Sequence, residues 1–136
     1  KGYYTLTQED LIEDRPFEDG IVLAGYPVDI HPPTPEDAKA ALGAAQEGHS
    51  IAQGKVYQIP YRSLISRQAA NLIVTGRCLS AEHEALGAIR VTPIAMAIGQ
   101  GAGTAAAMAV QGGCSLHDID IEELKGVLRE NGAVVP

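Results

Sequence analysis

The chain has 136 residues, about the length of one domain. Its 17 acidic and 10 basic side chains leave a formal net charge of -7, which argues against a nucleic-acid backbone or an anionic membrane face as partner. Hydrophobic residues make up 46%, which argues against wholesale disorder, yet they are mostly small: 20 alanines stand beside five tyrosines, one phenylalanine and no tryptophan. Such side chains bury little area each, so the chain is expected to lean on a ligand, a partner subunit or a further part of its own polypeptide.

The N-terminus lacks an initiator Met, a basic n-region and an apolar core segment. No signal peptide is expected, the chain reads as cut from a longer one, and the compartment stays open. Residues 2–6 alternate weakly, as in a short strand. Thr7 followed three positions later by Asp10 predicts a capped helical turn. The run Glu9–Asp19 holds six acids and one arginine and is expected to be a solvated face. Ile21–Ala24 is a short apolar run, and three prolines within Tyr26–Pro33 force an irregular or extended path. Thr34-Pro35-Glu36-Asp37 has the form of an N-cap, a Pro at N1 and two first-turn acids, opening a short helix through Ala45; a flexible loop ending in Gly48 and Gly54 is the alternative. Val56–Ile59 alternates like a strand and stops at Pro60. Asn71–Gly76 is a continuous β-rich run of the kind buried on both faces in α/β sheets. After Asp118 an amphipathic helix is predicted through about Glu130, with Ile121, Leu124 and Leu128 on one face and Gly132 at its stop. Cys78 and Cys114, 36 residues apart, match no metal or redox spacing and read as two buried, reduced thiols.

Between Val91 and Leu116 there is no formal charge. Within it, Val91–Val110 is twenty residues long and by length suits a membrane span, but the Ala/Gly content, Pro93 at the start and the bare flanks argue against one. Gly101-Ala102-Gly103-Thr104-Ala105-Ala106 fits a dinucleotide fingerprint, which needs a strand just before it; Val91–Ile98 is poor strand chemistry. The third reading makes Thr92–Val110 one buried helix with Pro93 at its start. Its stripe of Ala95, Gly99, Gly103 and Ala107 would admit a neighbouring backbone, although a mid-helix glycine costs about 0.5–1 kcal/mol relative to alanine. That reading is the one adopted. Such a helix aims its free N–H groups and positive dipole end at whatever lies beside Arg90.

Three stretches now come together: Tyr57-Gln58-Ile59-Pro60-Tyr61-Arg62-Ser63-Leu64, Asn71-Leu72-Ile73-Val74-Thr75-Gly76-Arg77-Cys78-Leu79-Ser80-Ala81, and His83-Glu84-Ala85-Leu86-Gly87-Ala88-Ile89-Arg90-Val91-Thr92-Pro93 running on through Met96–Ala106. Most of residues 57–110 resembles the C-terminal part of the FAD-dependent oxidoreductase family, and Tyr3–Asp19 and Tyr26–His31 resemble it more loosely. The resemblance implies a glutathione-reductase-type, Rossmann-like FAD-binding domain of α/β class. Asn71–Gly76 would be its late strand and Thr92–Val110 its late, Ala/Gly-rich helix. Residues 56–136 would then be the C-terminal portion of that domain, and residues 1–55 the tail of an inserted substrate domain with a connecting loop. The chain shows no upstream strand with G-x-G-x-x-G and no acid for the adenosine ribose, so the missing N-terminal ADP-binding half of the same protein is the expected partner. The expected function is the flavin-proximal half of an FAD site for hydride transfer to the flavin, with the isolated chain inactive.

By this resemblance the cofactor-binding residues are Gly76, Arg77, Ser80, Arg90, Val91, Thr92 and Pro93, the helix N-terminus facing the flavin's pyrimidine edge. Glycine at 76 permits close approach. Arg90 would bind a substrate carboxylate or a cofactor phosphate, or else pair with Glu82 or Glu84. His83 is a candidate proton shuttle against an ordinary structural histidine. Tyr61 and Arg62 would face the active site by resemblance, against plain strand-end packing. Cys78 beside a flavin raises the idea of a covalent or redox role, with nothing in the sequence to lower its pKa. Asp29 and His31 would line a substrate cavity, whereas His49 and His117 read as surface residues. No metal set and no Ser-His-Asp set emerges. A small-molecule substrate is implied. The competing functions are an interaction module whose Ala/Gly helix docks onto a partner or a homo-oligomer, and a self-contained nucleotide-binding protein.

Overall fold

The computed structural model describes residues 1–30, Thr34 and residues 55–136. The helix expected from Thr34 to Ala45, and the candidates His31 and His49, lie outside the described residues apart from Thr34 itself. Helix α1 (Gln8–Ile12) forms where the capping pattern predicts it. Thr7 Oγ1 accepts the Asp10 N–H at 3.2 Å, and Asp10 Oδ2 accepts the Thr7 N–H at 2.9 Å. Strand β1 (Gly20–Ala24) pairs antiparallel with β2 (Tyr57–Pro60), Ala24 opposite Tyr57 and Val22 opposite Ile59, with an irregularity between Gly20 and Val22. These two strands are the one sheet among the described residues.

Two expected strands are absent. Residues 2–6 make isolated bridges instead, Gly2 to Ser66 and Leu6 to Ala81. The late strand expected at Asn71–Gly76 is likewise reduced to one bridge, Ile73 to Ile65, with Val74 N–H donating to the Leu64 carbonyl at 2.8 Å. Burial on both faces fails too, since Leu72 is 48% exposed. The sequence has strand chemistry there, but a strand needs neighbours, and among the described residues only the 64–66 segment pairs with it. The fold is therefore mixed helix with a small antiparallel sheet.

After a 3-10 turn at Gly76–Cys78 come α2 (His83–Ile89), α3 (Thr92–Gly112) and α4 (Ile121–Glu130). The long charge-free segment is thus a helix, ended by Gly113 in the left-handed conformation at φ 61°. The G-x-G-x-x-A match lies inside α3, nine residues past its start, so it cannot present a loop to a pyrophosphate. Helix α3 is long and apolar enough to cross a membrane, and 33% of its most apolar window is buried against the rest of the chain. Helix α4 follows its prediction: Leu124 and Leu128 are at most 1% exposed, and Asp120 caps the first turn.

The core lies where α3 and α4 cover β1, with Leu6, Leu11, Ile59 and Leu64 beneath. On α3 the buried stripe is Ile94, Ile98, Ala102, Ala105 and Ala109. The expected close-approach stripe points elsewhere: Ala95 and Gly99 are half-buried, and Gly103 and Ala107 are exposed. Isoleucine wins that contest because burying it fully is worth about 1.5–3 kcal/mol, more than alanine or glycine returns. One glycine does serve packing, since a Cβ on Gly101 would stand 2.8 Å from Ile21 Cδ1.

The acidic run is only partly a solvated face. Asp10 and Asp19 are 1% and 7% exposed. Asp10 accepts the Tyr4 hydroxyl at 2.8 Å and pairs with Arg15 at 3.0 Å. Asp19 holds Arg62 through the backbone N–H and Nε, both at 2.9 Å, and Nη2 at 3.0 Å. Buried carboxylates survive when hydrogen-bonded in this way. The cysteines also depart from expectation, because Cys78 and Cys114 are free but exposed.

Candidate functional site

The site is built at the junction of α2 and α3. Gly76 sits at φ 58°, a left-handed turn that a side chain would strain, and it directs Arg77 towards the end of α2. Arg77 Nε donates to the Arg90 carbonyl at 2.7 Å. Arg90 is the C-cap of α2, and its Nη2 donates to the Asp29 carbonyl at 3.1 Å, with the Asp29 carboxylate at 3.7 Å. Arg90 thus pairs with Asp29 rather than with Glu82 or Glu84. The Asp29–Ile30 backbone lies directly on α2 because residue 87 is glycine; a Cβ there would meet the Asp29 carbonyl oxygen at 3.0 Å.

The next residue, Val91, is the N-cap of α3 and has no side-chain oxygen to offer. Pro93 follows in the first turn, and the first helical bond is Ala95 N–H to the Val91 carbonyl at 3.0 Å. The N–H groups of Thr92 and Ile94 are left without a side-chain cap at the positive end of a 21-residue helix. Asp29, Arg77, Arg90, Val91, Thr92 and Pro93 line a cleft of about 480 Å³. Across Arg90 a second cleft of about 250 Å³ is lined by Asp29, Ile30, His83, Leu86, Gly87 and Arg90.

Of the residues singled out in the sequence, six (Asp29, Arg77, Arg90, Val91, Thr92 and Pro93) meet in the first cleft, with Gly76 turning the chain beside it. Ser80 lines a different cleft, where its hydroxyl stands 3.0 Å from Thr5 Oγ1. Tyr61 is a core residue, 3% exposed, with its hydroxyl donating to the Leu116 carbonyl at 2.8 Å; burial pushes its pKa up to about 12. Arg62 is spent on Asp19. Tyr61 is thus a core residue, whereas Arg62 is half-exposed and held by its bonds to Asp19. His83 opens α2 on the second cleft, while His117 is exposed and stacks edge-on to Tyr3 at 4.9 Å. No metal-holding group of His, Cys, Asp and Glu occurs among the described residues.

The sequence reading missed the Asp10–Tyr4–Arg15 and Asp19–Arg62 networks. The capping box already placed Asp10 at a helix start, but nothing local pairs Asp19 with a residue 43 positions away.

An uncapped helix end whose cleft is lined by two arginines has chemistry suited to an electron-rich or anionic ligand edge. The chain belongs to the FAD dependent oxidoreductase family, whose model matches residues 1–128. It is therefore an oxidoreductase-family chain, and FAD is the family's cofactor. No curated protein and no solved structure matches it.

Proposed function

We propose that this chain forms the flavin-proximal part of an FAD site, within a glutathione-reductase-type domain whose ADP-binding half lies outside residues 1–136. In this reading residues 56–136 are the C-terminal portion of that domain and residues 1–55 the tail of a substrate domain. The carrying observation is the uncapped N-terminus of α3 between Arg77 and Arg90. The donor set fits the cofactor: backbone N–H groups, a helix dipole and two cations suit an electron-rich ring edge or a phosphate. Arg77, Arg90, Val91, Thr92 and Pro93 would hold it, with the turn at Gly76 keeping the approach open. Ser80 would act from the neighbouring cleft by supporting the 76–80 segment. When bound, FAD supplies the acceptor for hydride transfer.

The residues of this chain do the rest. Arg77 ties the α2–α3 junction from one side, and Arg90 ties it to Asp29 from the other. Those bonds keep the N–H groups of Thr92 and Ile94 aimed at one place before any ligand arrives, so no reorganisation is needed on binding. The dipole end stabilises negative charge beside it. His83 stands ready across Arg90 to hold or pass a proton.

The test is the FAD content of the complete protein carrying Gly76→Val or Arg90→Ala. Each variant should purify with less flavin per polypeptide, read from the visible absorption after dialysis. Full flavin in both overturns the assignment. A second reading, an interaction or oligomerisation surface, is favoured by the open side of α3, where Met96 is 69% and Val110 82% exposed. It requires a mass that rises with concentration and indifference to FAD.

A further inference from the structure

We propose that the cleft between α2 and the Asp29–Ile30 segment binds a small organic carboxylate with an apolar body, anchored by Arg90. The proposal rests on the flavin reading of the neighbouring cleft and names the substrate class for it. The observation behind it is a shared wall: Asp29 and Arg90 line both clefts, so a ligand held here lies next to the α3 N-terminus.

The chemistry of the second cleft has two ends. Leu86 and Ile30 supply an apolar surface, brought side by side because the Asp29–Ile30 segment packs on Gly87. Arg90 and His83 supply the polar end, a planar fork of N–H donors and an imidazole. A volume of about 250 Å³ suits a small molecule rather than a peptide.

Asp29 is the obvious objection, since it is itself a carboxylate on Arg90. Its Oδ2 lies 3.7 Å from Nη2, and both side chains are about 40% exposed, the geometry of a weak and solvent-screened pair. The guanidinium is oriented by something firmer, the Asp29 backbone carbonyl at 3.1 Å. That carbonyl is fixed where the chain lies on Gly87. A ligand carboxylate can therefore take the place of the Asp29 carboxylate while Arg90 keeps its direction. Arg90 is then a specificity-determining residue, selecting anionic over neutral molecules of the same shape.

The experiment uses the 136-residue chain, isotope-labelled, and three probes: benzoate, its neutral analogue benzamide, and acetate. Saturable benzoate shifts are expected at the amides of residues 83–90, with benzamide giving weaker binding. Arg90→Gln should lower benzoate affinity about tenfold and abolish the preference over benzamide. Leu86→Ala should weaken benzoate and leave acetate unchanged, which keeps the test valid if the arginine variant does not fold. The proposal is overturned if the wild-type chain binds no benzoate, if benzamide binds equally well, or if Arg90→Gln binds benzoate like the wild type. No flavin is needed for this readout. Loss of benzoate binding with flavin retention still sensitive to Gly76→Val would remove the carboxylate site alone. The converse would remove the flavin reading and leave a carboxylate-binding cleft.

Discussion

Helices α1 and α4 begin in the way helices usually do, and α3 does not. Thr7 and Asp10 close the start of α1, and Asp120 accepts the N–H groups of Glu122 and Glu123 at 2.9 and 3.1 Å at the start of α4. At α3, the longest of the described helices, the cap position holds valine and the flanking side chains are basic. A chain with 17 acids places only Asp29 in that cleft among the described residues. The sealed ends belong to parts of the molecule that close on themselves. Helix α2 also starts without a side-chain cap, at Glu82; in the proposed function the unsealed end of α3 keeps its donors for a ligand, and that difference can be attacked by mutation from either side.

The largest effect is expected in the sealed part, on the covered face of the same α3. Ile98 is fully buried, so Ile98→Ala should cost about 2–5 kcal/mol in urea unfolding. Met96→Ala, on the open face, should stay within about 0.5 kcal/mol. Equal losses would mean that the open face is covered in solution.

Alkaline pH is the next lever. Burial pushes Tyr57 and Tyr61 up to about 12 from 10.0, so the folded chain favours the neutral phenols. Their contribution is complete below pH 10 and is lost as the pH rises through 12. The urea midpoint should fall across that window, and the fall should be shallower in a Tyr57→Phe, Tyr61→Phe double variant. An unchanged profile in the double variant would show that other groups govern it.

Asp10→Ala strips the Tyr4 hydroxyl, the Thr7 N–H and Arg15 of their shared acceptor. A loss of about 1–3 kcal/mol is expected by thermal or urea unfolding, with no change in flavin content. A parallel loss of flavin would tie the two regions together.

The smallest change is the most discriminating. Val91→Thr places a hydroxyl at the α3 N-cap and should stabilise the chain by about 0.5–1 kcal/mol while lowering FAD content of the complete protein. Stabilisation without flavin loss would mean that the uncapped end is merely unoptimised.

Much of this molecule was legible in the order of its residues. The capping box at Thr7, the strand halted at Pro60, the proline-led start of α3 and the leucine face of α4 are local patterns. Local patterns need only neighbours within a turn or two, and periodicity reports them directly. The resemblance also picked out Arg77, Arg90, Val91, Thr92 and Pro93, which line one cleft, and their role there is the proposal above. The failures share one cause. Asn71–Gly76 has strand composition but lacks the partners that make a strand, and the small-residue stripe of α3 lost the core to Ile94 and Ile98 one face away. Tyr61 and Arg62, each suited to chemistry, were claimed by Leu116 and Asp19.

The sequence by itself determined the starts of α1 and α3, the leucine face of α4 and which segment is the long apolar one, because those choices are settled between close neighbours; α2 was not read from the sequence. Only the tertiary structure decided that Asp29 partners Arg90 across 61 residues, that Asp19 is buried, and that one end of α3 faces an open cleft. Those are pairings between distant segments, and which pair forms depends on how the helices and the β1–β2 hairpin pack.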